Sequence, residues 1–128
     1  MVLIITHGDQ DGAYCAGYLG QIFSQAKFFI AGQGLGYGGI CRKIRKTLEK
    51  DLIVIADLSI DEDLEKVIRE KVEENRNIKF LIFDHHYGEP YIKISHQRVK
   101  VFWKSIDKCS NCYLLVKEWK KNNRCRSF

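Results

Sequence analysis

Four uninterrupted apolar runs set the frame of the chain: Val2-Leu3-Ile4-Ile5, Phe28-Phe29-Ile30, Leu52-Ile53-Val54-Ile55-Ala56 and Phe80-Leu81-Ile82-Phe83. Runs without alternation fit strands buried on both faces. Between them apolar residues recur at helical spacing. Residues 12–25 carry Ala13, Cys15, Ala16, Tyr18, Leu19, Ile22 and Phe23, and the small residues Gly12, Ala13, Ala16 and Gly17 would let this helix pack close to the sheet. Residues 40–50 present Ile40, Ile44 and Leu48 on one face of a short basic helix. Leu64, Val67, Ile68 and Val72 mark a third helix, with Ser59 or Asp61 as its N-cap and Asn75 to Asn77 as its end. Residues 91–94 and 99–103 fit short strands. Residues 109–121 fit a last helix, with Tyr113, Leu114, Val116 and Trp119 as core positions.

The order β-α-β-α-β-α-β with a mixed end predicts an α/β fold, a three-layer sandwich on a mainly parallel sheet of about five strands. At 128 residues it is expected to be one domain over 1–121, closed by a basic tail over 122–128. No apolar run approaches the ~20 residues that span a bilayer, so no membrane partner is expected. The start lacks the basic and small-residue features of a secretion signal, which points to a cytoplasmic protein.

Net charge is +5 but unevenly placed. Up to Gln97 there are 12 Lys/Arg against 14 Asp/Glu; from Arg98 onward there are 9 against 2. A basic end suits a polyanionic partner and equally suits a solvated helix. The five cysteines argue against a disulfide framework, being odd in number. Cys15 and Cys41 fall in apolar helical patterns and read as buried thiols. Cys109 and Cys112 have zinc-ligand spacing, but a closed site needs four ligands and Cys125 is the one further cysteine nearby.

The chemistry-bearing residues follow the apolar runs. His7-Gly8-Asp9-Gln10-Asp11-Gly12 follows the first, Asp57 the third, and Asp84-His85-His86 the fourth. Open α/β sheets bind ligands beyond the carboxyl ends of their strands. On an extended backbone, His7, Asp9 and Asp11 would project to one side. Carboxylates so close repel unless a cation compensates them. An Asp/His set without thiolates suits Mn²⁺, with Mg²⁺ as the alternative ion. Two such ions can activate water against a phosphate ester.

These three motifs, in this order, resemble the first three motifs of the DHH phosphoesterase superfamily, which includes RecJ-type single-strand exonucleases and nano-RNases. The resemblance covers about residues 1–116. It implies one Mn²⁺ on His7, Asp9 and Asp57 and a second on Asp11, Asp57 and His85. It further implies that Asp84 orients its neighbours and that His86 contacts the scissile phosphate. The substrate implied is a phosphodiester in single-stranded nucleic acid or a short oligonucleotide. The family's fourth motif, a further metal-binding aspartate, has no match: Asp107 is the one aspartate after Asp84, and it falls too early. The family's second domain is also unmatched, so by this resemblance the chain is a fragment, a minimal domain, or one half of a split enzyme whose partner subunit supplies that domain; a metal-binding but catalytically weak scaffold domain that needs a partner is the alternative.

A rival lies in Gly34-Leu35-Gly36-Tyr37-Gly38-Gly39, which spells a dinucleotide fingerprint 23 residues before Asp57. It ranks second because it leaves both histidine clusters unused. The same glycines, with Arg42, Lys43, Arg45 and Lys46, can instead cradle substrate phosphates.

Overall fold

The apolar runs are strands in the computed structural model, which describes residues 1–31, 38–47, 52–84, 96–104 and 111–122. The elements are β1 (Val2–His7), α1 (Gln10–Ile22), β2 (Lys27–Ala31), α2 (Gly38–Arg45), β3 (Leu52–Ala56), α3 (Glu62–Glu74), β4 (Lys79–Asp84), β5 (Val99–Trp103) and α4 (Cys112–Asn122). The five strands form one sheet in the order β2-β1-β3-β4-β5, and every pairing between them is parallel. The end of the sheet is therefore not mixed: β5 joins β4 in parallel, with Val99 opposite Phe80 and Trp103 opposite Asp84. The predicted strand over 91–94 lies outside the described residues.

Parallel strands need covering on both faces. On one face Ile40, Cys41 and Ile44 of α2 and Leu64, Val67, Ile68 and Val72 of α3 pack on Leu3, Ile5, Ile53, Ile55, Phe80 and Ile82. On the other, Cys15 and Leu19 of α1 and Cys112, Leu115 and Val116 of α4 pack on Ile4, Val54, Ala56, Leu81 and Phe83. Alternate residues of β1, β3 and β4 thus serve opposite layers. The edge strand β2 is not buried on both faces as its apolar run predicts: Phe28 and Ile30 are 48% and 49% exposed, because no described helix fully covers them, and at the other edge β5 exposes Lys100. Cys15 and Cys41 are both buried.

The helix ends differ from the sequence reading where capping overrides periodicity. The side chain of Asp9 accepts from the Gly12 N–H, so α1 starts at Gln10 rather than Gly12. Asp61, not Ser59, caps α3 by accepting from the Leu64 N–H. Helix α2 ends at Arg45, and α4 starts at Cys112 rather than Cys109. That start sets the phase of α4: Cys112, Leu115 and Val116 are buried, while Leu114 is 44% exposed and does not join the core. Of the two glycines counted on for close packing, Gly12 makes a close approach and Gly17 does not: Gly17 is exposed, with nothing within 4 Å of an added Cβ, while Gly20 further along α1 meets the Phe28 ring.

Strand β1 has β2 on one side and β3 on the other, and α1 and α2 cover opposite faces. The chain therefore reverses its direction of winding between β1 and β3. Beyond the carboxyl ends of these two strands the connections diverge and leave a crevice. No helix among the described residues is long and apolar enough to cross a membrane.

Candidate metal centre

Strand β1 delivers His7, and the loop after it delivers Asp9; strand β3 delivers Asp57 from the next position in the sheet. One ligand atom from each of these three side chains lies within 4.8 Å of the other two, and all three residues are half-buried. The loop is fixed by short-range chemistry. The Gly8 N–H donates to the Ala31 carbonyl at 3.0 Å, which extends the β1–β2 pairing into the loop. Asp9 then accepts from the Gly12 N–H at 2.7 Å through Oδ1 and lies 3.3 Å from His7 Nδ1 through Oδ2. Its carboxylate is both helix cap and arm of the cluster.

Burial raises the pKa of Asp9, but hydrogen bonds with Asp57, the Gly12 N–H and His7, together with attraction to His7, outweigh it. The net effect holds Asp9 below its ordinary value of 3.8, which keeps it ionised.

Asp57 is held differently. Its φ of 61° is left-handed, a conformation that few residues other than glycine adopt and that aspartate tolerates better than most. The turn swings the chain out of β3, and the Asp57 N–H donates to Cys112 Sγ at 3.2 Å. Backbone strain of this kind concentrates where side chains must be aimed.

Asp11 does not extend the line of His7 and Asp9. Because α1 begins at Gln10, Asp11 is a helical residue and the extended two-residue period stops before it. Its carboxylate accepts from the Cys112 N–H at 2.9 Å and the Tyr113 N–H at 3.1 Å, at the first turn of α4. A carboxylate on two N-terminal amides satisfies donors that the helix cannot. Asp11 thus ties α1 to α4 beside the cluster and is not among its three members. Asp84 is 2% exposed at the end of β4. His85 and His86 lie outside the described residues, as do Cys109 and residues 32–37 of the glycine loop.

The basic residues of α2 are placed elsewhere. Arg42 and Arg45 line a groove with Asp61, Asp63 and Lys66 of the α3 layer, and Lys43 and Lys46 are exposed. Both α2 and α3 return from the carboxyl ends of the sheet towards its other end, where Lys71 Nζ donates to the Arg45 carbonyl at 3.2 Å. Among the described residues, Arg42 and Arg45 border a different cavity from the one that Asp9 and Asp11 line.

Cys112 has a role that its spacing to Cys109 does not announce. Hydrogen bonding to Cys15, then burial, push its thiol far above the usual range. A protonated thiol that accepts from the Asp57 N–H is a support for that turn, whereas zinc requires thiolates. No local pattern signals this contact, because its partners are 55 residues apart.

No protein-family model matches the sequence, and no curated protein matches it. In fold the chain is similar to the crystal structure of an uncharacterized protein from Helicobacter pylori G27, with a TM-score of 0.72 and 23% identity. The match covers 95% of this chain and 36% of that one. The chain thus spans about a third of its neighbour's length.

Proposed function

We propose that the chain is a Mn²⁺-dependent phosphoesterase domain that hydrolyses phosphodiester bonds of single-stranded nucleic acid or short oligonucleotides. The observation that carries this reading is the meeting of His7, Asp9 and Asp57 at the point between β1 and β3 where the winding reverses. Two carboxylates and one imidazole, half-buried and without a thiolate, fit a hard divalent cation of the Mn²⁺ or Mg²⁺ type. When bound, such an ion polarises a phosphoryl oxygen and lowers the pKa of water.

The protein's own part is positioning. Asp9 is locked by Gly12 and His7 and kept ionised. Asp57 is aimed by a left-handed backbone that Cys112 supports. By the resemblance to DHH phosphoesterases, Asp11, Asp57 and His85 would hold a second ion, with Asp57 shared between the two. Asp11 would then have to share its carboxylate with the Cys112 and Tyr113 N–H groups, and the reading predicts two ions per chain. The same resemblance gives His86 the scissile phosphate and Asp84 an orienting role. A partner subunit completing the substrate cleft belongs to the same proposal.

Mn²⁺ titration calorimetry and hydrolysis of end-labelled oligonucleotides test it. Asp57→Asn keeps a residue that tolerates left-handed backbone and removes the charge, so the fold should persist while Mn²⁺ binding and turnover are lost together. Mn²⁺ binding or turnover surviving in that variant refutes the shared-ligand arrangement. A wild-type protein that binds Mn²⁺ yet cleaves no single-stranded or dinucleotide substrate refutes the enzyme reading of the isolated chain and leaves the scaffold domain.

A further inference from the structure

Beside the metal cluster the surface carries a feature that coordination chemistry does not need. A cavity of about 530 Å³ opens against Asp9 and Asp11, and Tyr14, Tyr113, Gln10 and Asn111 complete its described lining. Its volume falls in the range of small-ligand sites. Tyr14 is 56% exposed, a large aromatic ring left in solvent one helical turn from Gln10. Its ring centroid lies 5.8 Å from that of Tyr113, which in turn meets Tyr18 edge-on at 5.6 Å. The three rings run from the cluster along the seam between α1 and α4.

The seam continues as charge. Lys117 Nζ stands 5.4 Å from the centre of the Tyr113 ring. Lys117, Lys120 and Lys121 then border a second cavity of about 600 Å³ together with Tyr18 and Glu118. Glu118 is paired with Lys104 at 2.5 Å, which leaves the patch positive. From Tyr113 to Lys121 the helix advances about 12 Å.

Rings beside the cluster and lysines beyond it are what a single strand offers partners for: bases stack on aromatic faces and the backbone follows cations. The opposite order would suit a phosphate less, since Asp9 and Asp11 border the ring cavity. We infer that the α1–α4 seam is a binding track for single-stranded nucleic acid. In it, Tyr14 and Tyr113 stack the base next to the reacting phosphodiester and Lys117, Lys120 and Lys121 hold the backbone leading away. The inference rests on the phosphoesterase reading for the phosphate's position, but base binding is measurable without turnover.

Fluorescence anisotropy of the full chain tests the track with two labelled probes, a twelve-residue oligothymidylate and an abasic deoxyribose-phosphate oligomer of equal length, in metal-free buffer. The wild-type protein should bind the thymidylate more tightly. Tyr14→Ala should weaken thymidylate binding about tenfold and leave the abasic probe unchanged, in line with the worth of one stacked base. Tyr14→Phe, which keeps the ring, should restore wild-type affinity. Lys117→Gln with Lys121→Gln should weaken both probes and flatten the salt dependence. Circular dichroism of each variant confirms the fold; Tyr14 is exposed, so its loss should not disturb the core.

Equal affinity for the two probes, absence of binding to either, or an unchanged thymidylate affinity in Tyr14→Ala overturns the track. Failure of the phosphoesterase reading shows separately, as base-dependent binding without cleavage when Mn²⁺ is added.

Discussion

Two glycines five residues apart on α1 should respond oppositely to the same substitution. A Cβ on Gly12 would lie 1.8 Å from the His7 carbonyl oxygen and 2.7 Å from its carbon. Both are backbone atoms of β1, and contact at ordinary range begins near 3.4 Å. Gly12→Ala therefore forces the start of α1 away from the end of β1 by more than 1 Å, roughly the mismatch between the two distances. Overpacking of this kind costs about 1–3 kcal/mol. The Asp9 cap on the Gly12 N–H is strained with it, at about 1 kcal/mol. The total is about 3 kcal/mol. Unfolding entropy near 2.1 cal/mol/K per residue makes 1 kcal/mol worth about 4 °C in a chain of 128 residues, so Tm should fall by about 11 °C. Gly17 is exposed with nothing within 4 Å, so Gly17→Ala gains the helix propensity of alanine, about 1 kcal/mol, and raises Tm by about 4 °C.

Differential scanning calorimetry of the two variants measures the contrast, and Mn²⁺ titration of the same samples extends it to the site. His7 and Asp9 flank the displaced segment, so Gly12→Ala should also weaken Mn²⁺ binding by roughly tenfold or more, because ligand geometry tolerates little displacement. Gly17→Ala should bind as the wild type does. A Gly12→Ala protein with unchanged Tm and unchanged Mn²⁺ affinity would show that the strand-to-helix turn does not set the cluster, and the account of Asp9 would fall with it.

Two further outcomes follow from the helix ends and the cluster. Arg98 donates to the carbonyls of Val72, Asn75 and Ile78 at the end of α3, so Arg98→Ala should cost about 2–3 kcal/mol, seen in urea unfolding as a lower midpoint at unchanged slope. The metal-free chain should lose stability in acid partly through Asp9: its folded pKa is depressed, so its contribution is present above the ordinary value of 3.8 and lost as pH falls through the lower folded value. Asp9→Asn, which keeps a capping side chain, should make the acid limb of a stability–pH curve shallower, and an unchanged limb would reject this assignment.

The central strands β1, β3 and β4 are the legible part of the fold because a parallel sheet covered on both sides demands unbroken apolar runs there, whereas the run 28–30 looks the same and leaves Phe28 and Ile30 exposed at the edge. Leu52 to Ala56 are buried at all five positions, as hydrophobicity alone predicts. Helix phase was less legible. Tyr113, Leu114, Val116 and Trp119 look equivalent until the helix start is known. Once Cys112 is the first residue, the buried face runs through Cys112, Leu115 and Val116 and leaves Leu114 in solvent. The start is set twice: locally by Asn111, whose Oδ1 accepts from the Leu114 N–H, and by Asp11, 101 residues earlier, which no local pattern contains.

The same distance effect separates the three aspartates near the site. By residue type and spacing Asp9, Asp11 and Asp57 are interchangeable metal ligands. Their backbones are not alike: Asp9 is an N-cap, Asp11 a first-turn helical residue and Asp57 a left-handed turn. Backbone state decides where each carboxylate can point. The cap and the turn face each other across β1 and β3, whereas the helical residue faces the adjacent helix and meets its amides. A motif records which side chains are present at a strand end. How much of each carboxylate is left for a cation depends on where the strand stops and what packs beside it, and here the first-turn N–H groups of α4, which have no acceptor within their own helix, draw on Asp11.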